Sequence, residues 1–244
     1  MIDTVGPEYS PNITPDVETG AGAWTDDVLV RAIREGYGHD GRPLLPSMRS
    51  EYYKAFTDED IASVVVYLRS LPPVRHELPR NNLPEDKRGF REEFVEEVPS
   101  VRNSNDTLAH GAYLVRIAIC EHCHSPLDGF GERKPGLRFG GGTVGVEDSL
   151  HPVISKNLTR DPTGIAYYDP NFFVQTIRTG RVGGVRQIDP WMPWPYLRIM
   201  TDDDLKAIFM YLRSQAPVHH FVDNTEPPRL CKLCGTTHGL GDLN

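Results

Sequence analysis

The feature that most limits what this chain can fold into is an internal repeat. Asn12-Ile13-Thr14-Pro15-Asp16 returns as Asn157-Leu158-Thr159-Arg160-Asp161. After a one-residue gap, every further match lies 144 positions on, as Met192 does from Met48. Arg31-Ala32-Ile33-Arg34-Glu35-Gly36 aligns with Gln175-Thr176-Ile177-Arg178-Thr179-Gly180, and Pro46-Ser47-Met48 with Pro190-Trp191-Met192. Thr57-Asp58-Glu59-Asp60 aligns with Thr201-Asp202-Asp203-Asp204, Tyr67-Leu68-Arg69-Ser70 with Tyr211-Leu212-Arg213-Ser214, and Pro73-Val74 with Pro217-Val218. So many matches at one spacing require two copies of one domain. A chain of 244 residues has room for two domains of about 100 each.

Each copy reads as helices joined by loops, an all-α pattern. Residues 24–36 predict a short helix with Val28, Ala32 and Ile33 on one face. Residues 36–53 are rich in Gly and Pro and predict a loop. Thr57 is placed to cap a helix, with Asp60 three residues on, and that helix runs to about Ser70, ahead of Pro72-Pro73. Its buried stripe is Ile61, Val64, Val65 and Leu68; Leu205, Ile208, Phe209 and Leu212 repeat it. Residues 79–104 are charged, contain proline and lack periodicity, as an interdomain linker does. The second copy opens with a helix over about 106–119, in which Gly111 lets another helix approach closely.

The chemistry concentrates in Cys120-Glu121-His122-Cys123-His124. This is C-x-x-C-H, the attachment signature of c-type haem. Two cysteines three positions apart can each add to one vinyl group on a haem edge, and the histidine that follows lies under the iron. A methionine thioether suits the opposite face, because a soft donor favours reduced iron. Met192, in Pro190-Trp191-Met192-Pro193, is the candidate, ahead of Met200 and Met210. A C-x-x-C pair alone also serves as a zinc half-site, a disulfide or a redox couple; the adjoining His124 favours haem. His110, His122 and His151 read as surface residues, and Gly140-Gly141-Gly142 as a flexible loop over a cofactor edge rather than a phosphate loop, since no Lys-Ser/Thr follows.

Gly111 to Val115, the C-x-x-C-H run, the Met192 loop and the final helix together resemble a class I cytochrome c domain. The whole pattern up to about His220 is similar to tandem, dihaem class I cytochromes c, such as the haem subunits of membrane-associated alcohol, aldehyde or sugar-acid dehydrogenases. That resemblance implies two cytochrome c-like domains: residues 1–78 without an attachment motif, a linker at 79–104, a complete domain at 105–220, and a tail at 221–244. It implies haem c on Cys120 and Cys123, with His124 and Met192 as axial ligands, and a helix crossing at Gly111 and Tyr211. It implies single-electron transfer between a dehydrogenase donor and an acceptor, not catalysis, in a periplasmic or other extracytoplasmic setting where haem is attached. Two other readings are a dihaem peroxidase-like enzyme, which needs an open iron site, and a zinc-binding interaction module, which leaves the repeated methionine loops without a purpose.

The first copy has the later features of such a domain but no C-x-x-C-H, and no basic start or apolar core of a signal peptide precedes it. The expectation is a first domain incomplete at its N-terminus. Met48 would then be the distal ligand of a first haem, with one haem on this chain and two in a full-length protein. The tail carries Cys231, Cys234 and His238, spaced for a disulfide, for zinc with a fourth ligand from His219 or His220, or for a non-standard haem attachment. A formal net charge of −8 argues against a nucleic-acid partner, and apolar stretches such as residues 61–68 are too short to span a bilayer.

Overall fold

Both copies of the repeat build the same last helix from the same local signals. In the first this is α3, Asp58–Ser70; in the second it is α8, Asp202–Ser214. The Thr57 hydroxyl accepts the Asp60 N–H at 3.1 Å, and the Thr201 hydroxyl accepts the Asp204 N–H at 3.1 Å. Acidic residues fill each first turn and an arginine sits in each last turn, as the helix dipole favours.

The structure is a computed structural model of the chain, and it describes residues 9–79, 81, 105–128, 132–145 and 153–222, with the backbone alone of 229–230 and 237–238. It is predominantly helical, with short strands. The chain divides into two units, residues 1–100 and 101–244. Most of the segment read as a linker, the segment around His151, and the side chains of Cys231, Cys234 and His238 lie outside the described residues.

In the first unit, α1 (Asp26–Glu35) starts at the Thr25 side chain and ends at Gly36, whose left-handed φ of 72° suits a residue without Cβ. Its buried face is Leu29 and Ala32, with Val28 and Ile33 only half-buried, so the apolar face is centred beside the expected one. The expected loop over 36–53 is more ordered than its composition suggested. It holds a bridge between Tyr37 and Pro43, a 3-10 turn at Pro46–Met48 and a one-turn helix, α2 (Ser50–Tyr53). The buried centre of this unit is small: Ala21, Leu29 and Val65, backed by Trp24 and Val30.

The second unit contains α4 (Thr107–Ile117), α5 (Cys120–His124), α6 (Pro170–Thr179), α7 (Trp194–Leu197) and α8. Two antiparallel ribbons interrupt them: β1 (Val144–Gly145) with β2 (Val153–Ile154), and β3 (Arg181–Val182) with β4 (Arg186–Gln187). A third pairing, β5 (Arg229–Leu230) with β6 (Thr237–His238), flanks the tail cysteines along the backbone. Helix α4 crosses α8 at Gly111. A Cβ there would stand 2.8 Å from the Tyr211 Cβ, and closer still to the Ala207 carbonyl, so only glycine permits the crossing. Tyr113, Leu114, Phe139, Phe173, Leu205 and Leu212 lead the core.

One device recurs in both units. The Asn157 carboxamide accepts from the Thr159 N–H (2.9 Å) and hydroxyl (2.8 Å), and donates to the Val218 carbonyl (2.8 Å). Asn12 does the same with Thr14 and the Val74 carbonyl. The repeated Asn-x-Thr therefore pins the strand-like segment that follows each last helix. Among the described residues no helix is long and apolar enough to cross a membrane.

Candidate haem site

The C-x-x-C-H run is a separate turn set off the end of α4. The break is Ile119, a β-branched residue held at φ 54°. Such a residue in the left-handed region is strained by on the order of 1–3 kcal/mol, so the surroundings must enforce it. The His122 N–H bonds back to the Ile119 carbonyl at 3.1 Å, and Ser125 N–H to the Glu121 carbonyl at 3.0 Å, closing α5 on itself. Cys120 and Cys123 lie on this turn with no disulfide between them, and Cys120 packs against the core. Burial first, then the neighbouring Cys123, pushes the Cys120 thiol up to about 12. It is therefore protonated at neutral pH, unlike the reactive thiolate of an exchange centre.

His124 is buried, and its Nδ1 lies 2.7 Å from the Lys156 carbonyl oxygen. A carbonyl only accepts, so Nδ1 carries the proton and Nε2 presents its lone pair. Desolvation by burial holds the ring below its usual 6.5, while the Lys156 bond pulls the other way. The result is a neutral imidazole of fixed tautomer and orientation, the form a metal requires.

A belt of backbone wraps this turn. The Phe139 N–H donates to the Ser125 hydroxyl at 2.9 Å, Gly141 N–H to the His124 carbonyl at 2.9 Å, and Gly142 N–H to the Ser155 carbonyl at 2.9 Å. Gly140 to Gly142 are buried, which corrects the expectation of a flexible covering loop. A Cβ on Gly141 would meet the backbone of residues 155–157, so the run is glycine-rich because chain packs on chain.

Met192 sits in a tight turn. Its N–H bonds the Asp189 carbonyl at 3.1 Å, the Asp189 carboxylate takes the Trp191 N–H at 2.8 Å, and the Met192 carbonyl takes the Trp194 N–H at 2.7 Å. Met192 is half-buried against the same core as Cys120; Met200 also packs there, while Met210 faces outward. The Trp191 ring lies on Gly145, whose strand partner Val153 leads into Ser155 and Lys156. The β1–β2 ribbon thus joins the methionine turn to the carbonyl that orients His124. In the first unit Met48 occupies a matching turn, its N–H bonded to the Leu45 carbonyl at 2.9 Å, but all four cysteines lie elsewhere.

These residues fit a c-type haem. Two thiols share one turn, a neutral imidazole offers Nε2, and a thioether packs on the same core. The Trp194 Nε1–H is buried without an acceptor among the described residues, a donor suited to a carboxylate acceptor. Among the described residues no cluster of three or more His, Cys, Asp or Glu side chains is arranged to hold a metal ion. Haem iron needs no such cluster, since one histidine and one methionine complete it.

Two features were missed by sequence reasoning. His110 is not a surface residue: it is buried, with Nε2 2.7 Å from the Asp204 carboxylate, joining α4 to the first turn of α8. Glu121, inside the attachment motif, is also buried and faces Arg138 and Arg133. The repeat aligns Asp60 with Asp204, but it carries no sign of the histidine that lies across from Asp204.

No family model matches the chain. Individual proteins do. A nicotinate dehydrogenase subunit of Pseudomonas putida is 38% identical over 65% of this chain and 14% of its own length. The fructose dehydrogenase cytochrome subunit of Gluconobacter japonicus is 30% identical, over 86% of this chain and 45% of its own length. The cytochrome c subunit of the quinone alcohol dehydrogenase of Gluconobacter oxydans is 28% identical, over 88% of this chain and 48% of its own length. The chain thus spans about half, or less, of each relative.

Proposed function

From its homology to the cytochrome c subunits of fructose and alcohol dehydrogenases, we propose that this chain passes single electrons through a covalently held haem c, as a subunit or partner of a dehydrogenase. Cys120 and Cys123 would form the two thioethers, and His124 Nε2 and the Met192 sulfur would take the axial positions. When bound, haem supplies a reversible one-electron couple at iron. The chain's residues do the rest. The Lys156 carbonyl holds the imidazole tautomer, the 139–142 belt fixes the attachment turn, and the Asp189 turn presents Met192. With His124 and Met192 both holding the iron, the site would serve electron transfer rather than substrate binding. Met48 would serve a second haem whose attachment cysteines are not in this sequence. The tail residues Cys231, Cys234 and His238 would serve zinc or a disulfide, separably from this chemistry. Haem attachment places the protein outside the cytoplasm.

The observation that carries this reading is the His124 geometry: a buried neutral ring, proton on Nδ1, directly after two cysteines on one turn that form no disulfide. The test is to express the chain where haem is attached covalently and weigh it under denaturing conditions. One haem-sized addition on the peptide holding Cys120 and Cys123 is expected. A chain that folds there with no addition, or loses it in acid-organic extraction, rules the reading out.

A further inference from the structure

Glu121 is the first of the two residues between the haem-attachment cysteines, and nothing in the C-x-x-C-H chemistry calls for a carboxylate there. Its side chain is 11% exposed. Arg138 Nε lies 3.1 Å from Glu121 Oε1, and Arg133 Nε lies 3.5 Å from the same oxygen. The two guanidiniums are engaged well beyond the carboxylate. Arg133 Nη1 reaches the Glu121 carbonyl at 3.4 Å and the Ser125 carbonyl at 3.5 Å, at both ends of the same turn. Arg138 Nη2 lies 3.4 Å from the Tyr211 hydroxyl on α8, and its Cζ stands 5.2 Å from the centroid of the fully buried Phe139 ring. Three parts of the unit meet here: the attachment turn, the 133–139 segment that leads into the belt, and the last helix.

We propose that Glu121, held by Arg138 and Arg133, is a positioning residue for electron transfer, which locks the attachment turn to α8 and balances the fixed charge beside the haem. Burying a carboxylate disfavours it unless it is paired, and removing either charge changes the net charge beside the motif. Loss of the carboxylate leaves excess positive charge at the motif, which favours the reduced haem. Loss of Arg138 leaves excess negative charge, which favours the oxidised haem. A residue that merely packs would not move the couple in opposite directions for its two partners. The inference rests on the haem reading above.

The test uses the full chain with haem attached, as the parent, Glu121→Gln, Arg138→Gln, the double variant and Arg138→Lys. Haem content is first weighed under denaturing conditions, then the midpoint potential is measured at low ionic strength. Glu121→Gln should shift the oxidised-to-reduced ratio on the order of tenfold toward reduced, about 59 mV for one electron. Arg138→Gln should shift it the opposite way, the double variant should return toward the parent, and Arg138→Lys should stay near it. Single variants that move together, or not at all, overturn the proposal. If Glu121→Gln alone fails to fold, the double variant must still lie positive of Arg138→Gln, and a value at or below it overturns the proposal. A parent without attached haem overturns the haem reading itself, so the two failures are distinct.

Discussion

The two units place one helix in two surroundings. Helices α3 and α8 share cap, length and end, yet they are covered differently. In α8, Ala207, Ile208 and Leu212 are buried, and Tyr211 is half-buried where α4 crosses. Their counterparts in α3 are less covered: Ser63 is exposed, Val64 and Leu68 are half-buried, and Tyr67 is 64% exposed. Only the positions facing their own unit's other helices match, with Ile61 and Val65 buried like Leu205 and Phe209. The difference teaches that the cap and the repeat make the helix, while a crossing helix makes the core. Fully burying a large apolar side chain is worth about 1.5–3 kcal/mol, so the uncovered face of α3 leaves several kcal/mol ungained relative to α8.

The comparison can be broken hardest at Gly111. Gly111→Leu drives a side chain into the Ala207 carbonyl and Tyr211, and should destabilise the second unit by about 3 kcal/mol or more. In a thermal melt the second unit's transition falls while the first unit's stays. Equal shifts in both would show that the units are not independent.

Next come the methionine turns. Met192→Ala should lower the midpoint potential by roughly 120 mV, about 2.8 kcal/mol of lost preference for reduced iron. It should also open the iron to carbon monoxide. Met48→Ala in this chain should change neither, because the first unit contains no cysteine to attach haem. A spectrum that responds to Met48 and not to Met192 would reverse the assignment.

The caps should behave alike. Thr57→Ala and Thr201→Ala each remove one bond to the N–H of the third residue on and should each cost about 1 kcal/mol. Separate urea melts of the two transitions measure this, and a cost confined to one unit would separate the helices that the sequence makes equivalent.

The smallest effect is acid sensitivity. The Thr19 amide and hydroxyl hold the Asp16 carboxyl below its usual 3.8, and the Thr163 hydroxyl and amide do the same for Asp161. A carboxyl depressed in the folded state adds stability above its unfolded value, and that stability is lost as pH falls below 3.8. Asp16→Asn and Asp161→Asn should each flatten the fall in stability between about pH 5 and pH 3, by similar small amounts. A steeper fall in either variant would reverse the sign of the argument.

Much of this was legible in the residues alone, because it depends on neighbours in the chain. Hydroxyls at Thr57 and Thr201 meet an N–H three residues away, Gly36 and Gly180 end helices by their own φ, and Cys120, Cys123 and His124 lie within one turn. Gly111 was readable too, since a missing side chain inside a helix has few uses. The tertiary structure decided what depends on distant partners. Lys156 chooses the His124 tautomer from 32 residues away, and Asp204 buries His110 from 94. Arg138 turns Glu121 from a surface carboxylate into a buried one, and residues 155–157 turn the Gly140–Gly142 run from a loop into a packed belt. A helix or a capped turn repeats with a period that composition reveals. A charge pair or a carbonyl acceptor across the fold has no period, and it is specified only once the backbone has brought its two halves together.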